Sequence, residues 1–222
     1  MRYLNIHTHF PTGHLAVLEV ENLYFGQAPS GKSPFLSAGL HPWFLKPENM
    51  DAALAWLEKQ AALPGVVAIG EAGLDKVCDT SWGLQEQAFR WCIDISERVK
   101  KPLVIHCVRA HNEVVRLKKE LKPAQPWIFH GFNKNTDMAA MLLHEGCYLS
   151  FGASILRENN HSAEALQHTP AGHFFLETDD MQDIAIEQIY QKAAEIKGIS
   201  VEELAETLEA NMARCFAPHP LS

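Results

Sequence analysis

Residues 85–107, QEQAFRWCIDISERVKKPLVIHC, decide the fold. Over Gln85–Lys100 the residues Ala88, Phe89, Cys92, Ile93 and Ser96 recur at helical spacing, which predicts an amphipathic helix. Leu103–Cys107 then turns into a short apolar run, which predicts a buried strand. A helix leading straight into such a strand is the unit of a parallel α/β sheet. The pattern repeats outward in both directions. Strands are expected at Arg2–His7, Leu15–Val20, Phe35–Leu40, Val66–Gly70, Leu103–Cys107, Trp127–His130, Cys147–Phe151 and Phe174–Glu177. Further helices are expected at Asp51–Ala62, Asn112–Leu121, Asp137–Glu145, Asp183–Lys197 and Ser200–Ala213, the last opened by a Ser200/Glu203 capping box. Eight strands in 222 residues fit an open parallel sheet or the small end of the (β/α) barrels. The segment between His9 and Leu15 is too short for a helical crossover of about a dozen residues, so the first βα unit is expected to lack its helix or to be irregular.

Composition narrows the function. With 47% hydrophobic and 21% charged residues the chain is of globular type, and no apolar run approaches the roughly 18–20 residues that cross a bilayer. MRYLNIHTHF carries no export-signal core. Five cysteines without paired spacing suit reduced, buried thiols in a cytoplasmic protein. A net charge of −8 excludes non-specific coating of duplex DNA, which needs a basic surface, and leaves a DNA end or a small anionic substrate open. The stretch ENLYFGQ (21–27) resembles a protease recognition tag with its last two letters exchanged; in mid-chain it reads as native sequence.

The chemistry sits at the ends of the apolar runs. Asn5, His7 and His9 alternate, so on a strand all three are expected to project from one face near its carboxyl end. Glu71 follows Val66–Gly70 between two glycines, Gly70 and Gly73, where a carboxylate can approach a metal closely; Asp75 is read as a possible helix cap. His106 ends PLVIH, His130 ends WIFH, and Asp179 follows FFLET. A single strand-end histidine is often only a satisfied core residue. A series of strands each finishing on a metal-competent side chain is not explained that way. His7, His9, Glu71, His106, His130 and Asp179 form a six-ligand set suited to two divalent ions bridged by Glu71. The remaining histidines, His14, His111, His144, His161, His168, His173 and His219, share no ligand spacing and are expected on the surface or in loops.

These stretches resemble the TatD family of metal-dependent hydrolases, within the amidohydrolase-like barrels. NIHTH, AGLHPW, AIGEAGLD, KKPLVIHC, FHGF, YLSFG, LETDD and the closing NMARCF occur in the family's order over nearly the full length. The resemblance implies a single TIM-type (β/α) barrel domain over residues 1–222, small and with an abbreviated first unit. It implies that His7, His9, Glu71 and Asp179 hold one metal and that Glu71 bridges to a second on His106 and His130. It implies that Asp179 orients the attacking water and takes its proton, and that His41, in GLHP, lies beside a substrate phosphate. Three departures stand out. Asn5 replaces a usual Asp, Trp43 replaces a usual second His, and Arg109 lies one residue beyond the usual His-x-Arg position.

The expected activity is therefore deoxyribonuclease cleavage at DNA ends by metal-activated water, with catalytic Asp179 and Glu71. Arg109, Lys134 and Arg157 are candidates to steer phosphate, and Trp43, Phe44 and Phe132 to stack on bases. The alternatives are the same metal site acting on an ester, lactone or amide of a small substrate, and a non-catalytic metal-binding barrel. Four imidazoles favour zinc or manganese, with nickel or iron also suited; the resemblance points to magnesium. Neither a membrane nor an obligate protein partner is expected.

Overall fold

The computed structural model describes residues 1–157 and 160–216; of the residues singled out above, only His219 lies outside them. Eight parallel strands pair in chain order: β1 (Tyr3–Thr8), β2 (Val17–Tyr24), β3 (Phe35–Gly39), β4 (Val66–Asp75), β5 (Leu103–Val108), β6 (Trp127–Phe129), β7 (Tyr148–Phe151) and β8 (Phe174–Leu176). Among the described residues seven α-helices accompany them: α1 (Met50–Ala61), α2 (Trp82–Val99), α3 (His111–Leu121), α4 (Thr136–His144), α5 (His161–His168), α6 (Ile186–Lys197) and α7 (Val201–Cys215). The sheet nearly closes into a barrel through one bridge, Thr8 to Asp179. There the Asp179 N–H donates to the His7 carbonyl at 3.0 Å, and the His9 N–H donates to the Asp179 carbonyl at 2.9 Å. The TIM-type barrel that the family resemblance implied is the observed one, and it decides between the open and closed sheets that the alternation alone allowed.

The first crossover lacks a helix as expected, and so does the second, from β2 to β3. Two buried carboxylates on the outward side of β2 tie down the loops that replace them. Glu19 accepts from the N–H groups of Thr12 (2.8 Å) and Gly13 (2.9 Å), and Glu21 from the N–H (2.8 Å) and hydroxyl (2.9 Å) of Ser30. Thr12, Gly13 and Ser30 are themselves exposed, so these bonds satisfy the buried carboxylates and pin the loops to the strand. The tag-like stretch is integral: Glu21–Tyr24 finish β2, and Asn22, on the inward side, accepts the Glu71 N–H at 2.8 Å.

β4 runs five residues past its expected end at Gly70, to Asp75, and all ten of its residues are buried. Gly70 and Gly73 make this possible, because a Cβ at either would collide with a backbone oxygen of β5, that of Val104 or His106. Asp75 therefore ends a strand and does not cap a helix; Ser81 occupies the N-cap of α2. Helix α5 was not signalled by the sequence reading, since its eight residues give barely two turns of periodicity. Ser200 caps α7 by accepting the Glu203 N–H at 3.1 Å. The terminal NMARCF stretch locks α7 against β8: Asn211 donates to the carbonyls of Ala171 (2.8 Å) and Phe174 (2.9 Å), and buried Phe216 packs edge-on to Phe175.

Candidate metal centre

Strand alternation alone would put Asn5 and His7 on one face, but β1 carries a bulge. Asn5 pairs with Glu19 and Thr8 with Glu21, so three steps along β1 match two along β2. An extra residue re-aims the side chains around it. Asn5 consequently bonds Thr178, donating to its hydroxyl (2.9 Å) and accepting its N–H (3.0 Å), and faces an outer cavity with Glu19. His7 turns inward instead. The expectation that all three polar residues project together is corrected by this bulge.

At the carboxyl ends of the strands, side chains converge on Glu71. Its Oε2 lies 3.6 Å from His7 Nε2 and 3.6 Å from His9 Nε2. Asp179 Oδ1 lies 3.4 Å from His7 Nε2 and 3.6 Å from His9 Nε2. Four donors around an ion at about 2.1 Å in a tetrahedron stand about 3.4 Å apart, close to these four spacings, and the ligand atoms of His7, His9 and Asp179 all lie within 4.8 Å of one another, as do those of His7, Glu71 and His130. The chemistry of the donors agrees. His7 is fully buried, and neither of its ring nitrogens has a hydrogen-bond partner among the described residues. Such an imidazole is costly unless something else engages it.

The other carboxylate oxygen, Oε1, faces three more imidazoles: His106 Nδ1 at 2.7 Å, His130 Nε2 at 2.7 Å and His41 Nε2 at 3.1 Å. His106 and His130 are each backed by a second carboxylate. His106 Nε2 lies 3.2 Å from Asp75 Oδ2, and His130 Nδ1 lies 3.5 Å from Glu177 Oε1. Only the first of these contacts is a hydrogen bond, His130 Nδ1 having no such partner among the described residues; a carboxylate bonded to an imidazole in this way fixes its tautomer and raises its basicity toward a metal. His41 is fixed differently. Its Nδ1 accepts the Trp43 N–H at 3.2 Å, so its proton sits on Nε2 and points at Glu71.

Electrostatics follow from this crowding. Burial alone would raise the Glu71 carboxyl, but His130, His106 and His41 outweigh it and hold it well below the usual range. Burial would lower His130, yet Glu71 and Glu177 pull it well above its ordinary value. Burial opposes ionisation of Asp179 too, but His7 and His130 bring it down to about 2, so it is a carboxylate at neutral pH. The field that draws a proton onto His130 also draws a divalent cation. Asp179 adopts a left-handed backbone (φ 54°), a conformation uncommon outside glycine that recurs at functional sites.

The six expected ligands, with His41, thus come together around one buried carboxylate. The expected phosphate contacts do not. Arg109 is exposed and Lys134 borders a separate small cleft behind His130; neither lines the cavity of about 360 Å³ that opens over Glu71, His106 and Asp179. Phe132 is buried against Phe151, away from the mouth. His111, expected at the surface, is buried at the start of α3 with its ring stacked on Phe129. The sequence reading missed the backing roles of Asp75 and Glu177. Their only signal was a carboxylate placed next to a strand-end ligand, in GEAGLD and in LETD.

The family model described as TatD related DNase matches residues 19–217. The metal-dependent hydrolase YcfH of Escherichia coli K12 is 29% identical over 195 residues, 81% of this chain and 72% of that protein. The 3'-5' ssDNA/RNA exonuclease TatD of Edwardsiella piscicida is 32% identical over 147 residues, 64% of this chain and 56% of its own. In structure the chain is similar to YJJV, a TatD homolog of Escherichia coli, with a TM-score of 0.81 at 19% identity over 97% of this chain and 98% of that one. The chain belongs to the TatD related DNase family and is a metal-dependent hydrolase.

Proposed function

We propose that this protein hydrolyses phosphodiester bonds at nucleic-acid ends, using two divalent ions and a water deprotonated at Asp179. The observation that carries the reading is the Glu71 carboxylate, with one oxygen facing His7 and His9 and the other facing His106 and His130. In this reading His7, His9, Asp179 and Glu71 would hold one ion, and His106 and His130, with Glu71 shared, would hold the other. When bound, such ions acidify water toward a pKa of about 7 and neutralise charge on the phosphoryl oxygens. The imidazole-rich donor set favours zinc or manganese over magnesium.

Asp179 lies at the rim of the cavity, ionised, and its carboxylate accepts the proton of the attacking water. The water oxygen bonds to phosphorus, the P–O bond to the leaving nucleoside breaks, and the proton passes to the leaving oxygen. His41 offers its Nε2 proton toward the same cavity, where a phosphoryl oxygen can take it in place of Glu71. Asp75 and Glu177 keep His106 and His130 aimed at Glu71. The exonuclease named among the relatives supports a nucleic-acid substrate. The lack of any lysine or arginine in the cavity lining, among the described residues, favours a second reading in which the same site cleaves a small ester. The chain is read as one cytoplasmic domain, a reading supported by α7 packing back onto β1 and β8 and by five free thiols.

The test is nucleotide release from end-labelled single-stranded DNA with magnesium or manganese, beside a chelated control. Metal-dependent release supports the reading. No release by metal-loaded protein, with turnover of a carboxylic ester or lactone, refutes it in favour of the second.

A further inference from the structure

The cavity over Glu71 is edged by aromatic rings. Trp43 is 58% exposed, Phe10 48% and Phe44 39%, a concentration of bare ring surface beside a polar centre. Two of these rings are held in place. Phe44 stacks on Tyr24 with centroids 4.3 Å apart and planes 23° from parallel. Trp43 donates its indole N–H to buried Asp75 at 2.7 Å while leaving much of its surface open, and its ring centroid lies 5.8 Å from that of His106. Against these rings stands the absence of any lysine or arginine in the cavity lining, among the described residues. Carboxylates are present instead, Asp180 among them. A site that grips a strand by its phosphates is built the other way, with cations along the path.

Resting on the phosphodiester reading, we infer that Trp43, Phe44 and Phe10 form a stacking subsite for the terminal base. Recognition here is by ring face, one nucleotide at a time, and not by backbone charge. A base stacked beside Trp43 lies within one nucleotide's reach of the Glu71 cluster. Preset rings bind at little entropic cost. Loss of one stacked base weakens binding by about 5- to 150-fold. Each phosphate gripped electrostatically would add about a threefold loss between 50 and 200 mM salt, and the chain is expected to show little more than one such step.

The experiment is calorimetric binding of three probes, each made with non-hydrolysable methylenephosphonate links, to the metal-loaded wild-type protein. They are dithymidine monophosphate, the same molecule with its terminal base replaced by an abasic spacer, and a ten-residue oligothymidylate. Hydrolysis of bis(p-nitrophenyl) phosphate by wild-type protein is measured separately. The expected result is a Kd at least 5-fold weaker for the abasic probe, a decamer within about 3-fold of the dinucleotide, and a shallow salt response. The abasic penalty should shrink in Phe44→Ala, or in Phe10→Ala should the first variant not fold. Equal Kd for the base-bearing and abasic probes overturns the stacking subsite. So does a decamer that binds far more tightly with steep salt dependence. Loss of the phosphodiester reading shows itself elsewhere, as no turnover of bis(p-nitrophenyl) phosphate, while the ratio of the two dinucleotide affinities still decides the subsite.

Discussion

Glu177 is fully buried at the end of β8, with Oε1 accepting the Gly131 N–H at 2.6 Å and lying 3.5 Å from His130 Nδ1. If this carboxylate aims His130 at Glu71, removing its charge must weaken metal binding without touching a ligand. Glu177→Gln keeps an oxygen for Gly131 and a neutral acceptor for His130. Because the 3.5 Å contact is long for a hydrogen bond, the loss belongs at the low end of what outer partners contribute, about 10-fold in metal affinity. Glu177→Ala removes the acceptor as well and is expected to lose about 100-fold, or about 2.7 kcal/mol. Calorimetric titration of zinc or manganese into the stripped protein measures both, and a circular dichroism melt checks that each variant folds. A well-folded Glu177→Ala protein with wild-type metal affinity would refute the orienting role.

Glu19→Ala frees the Thr12 and Gly13 N–H groups to water, since both residues are exposed, and is expected to cost about 1.5–3 kcal/mol in urea unfolding. A loss under about 0.5 kcal/mol would show that the helix-less crossover needs no such tie. His111 is pushed down from 6.5 to about 4, first by burial and then by the nearby Lys134 charge, so the folded state favours the neutral ring. Its contribution, up to about 3 kcal/mol, is present above pH 6.5 and is lost as the pH falls toward 4. Thermal melts across that window should slope less steeply for His111→Phe than for wild type; parallel slopes would contradict the assignment. Asn5→Asp is expected to leave metal affinity within about 3-fold of wild type, because Asn5 bonds Thr178 and neither ligand histidine. A larger change in the titration would mean that residue 5 acts on the metal site.

Much of this arrangement was legible in the sequence because parallel strands buried on both faces announce themselves as apolar runs, and the barrel puts their last residues in one place. PLVIH and WIFH needed no more than that to bring His106 and His130 together. The β1 bulge was not legible, since an inserted residue leaves the apolar pattern of YLNIHT unchanged while reversing which side chains face inward. The helix-less second crossover was hidden for a related reason. Glu19 looks like a solvent-facing strand position, and Glu21 lies beyond the expected strand end at Val20, until β2 is seen to run to Tyr24 with loops covering both. Asp75 and Glu177 were missed because a backing carboxylate is defined by what it touches across strands, and sequence spacing does not encode that contact. Arg109 shows the converse, a residue type that suits phosphate but stands outside the cavity lining.

A centre of two ions sharing Glu71 is tested most directly by counting bound metal per chain. Elemental mass spectrometry on protein equilibrated with zinc or manganese and freed of excess should give two ions for wild type, one for His130→Ala, and fewer than one for Glu71→Ala. A single ion in wild type, or two retained after His130→Ala or Glu71→Ala in folded protein, would contradict the shared-carboxylate centre.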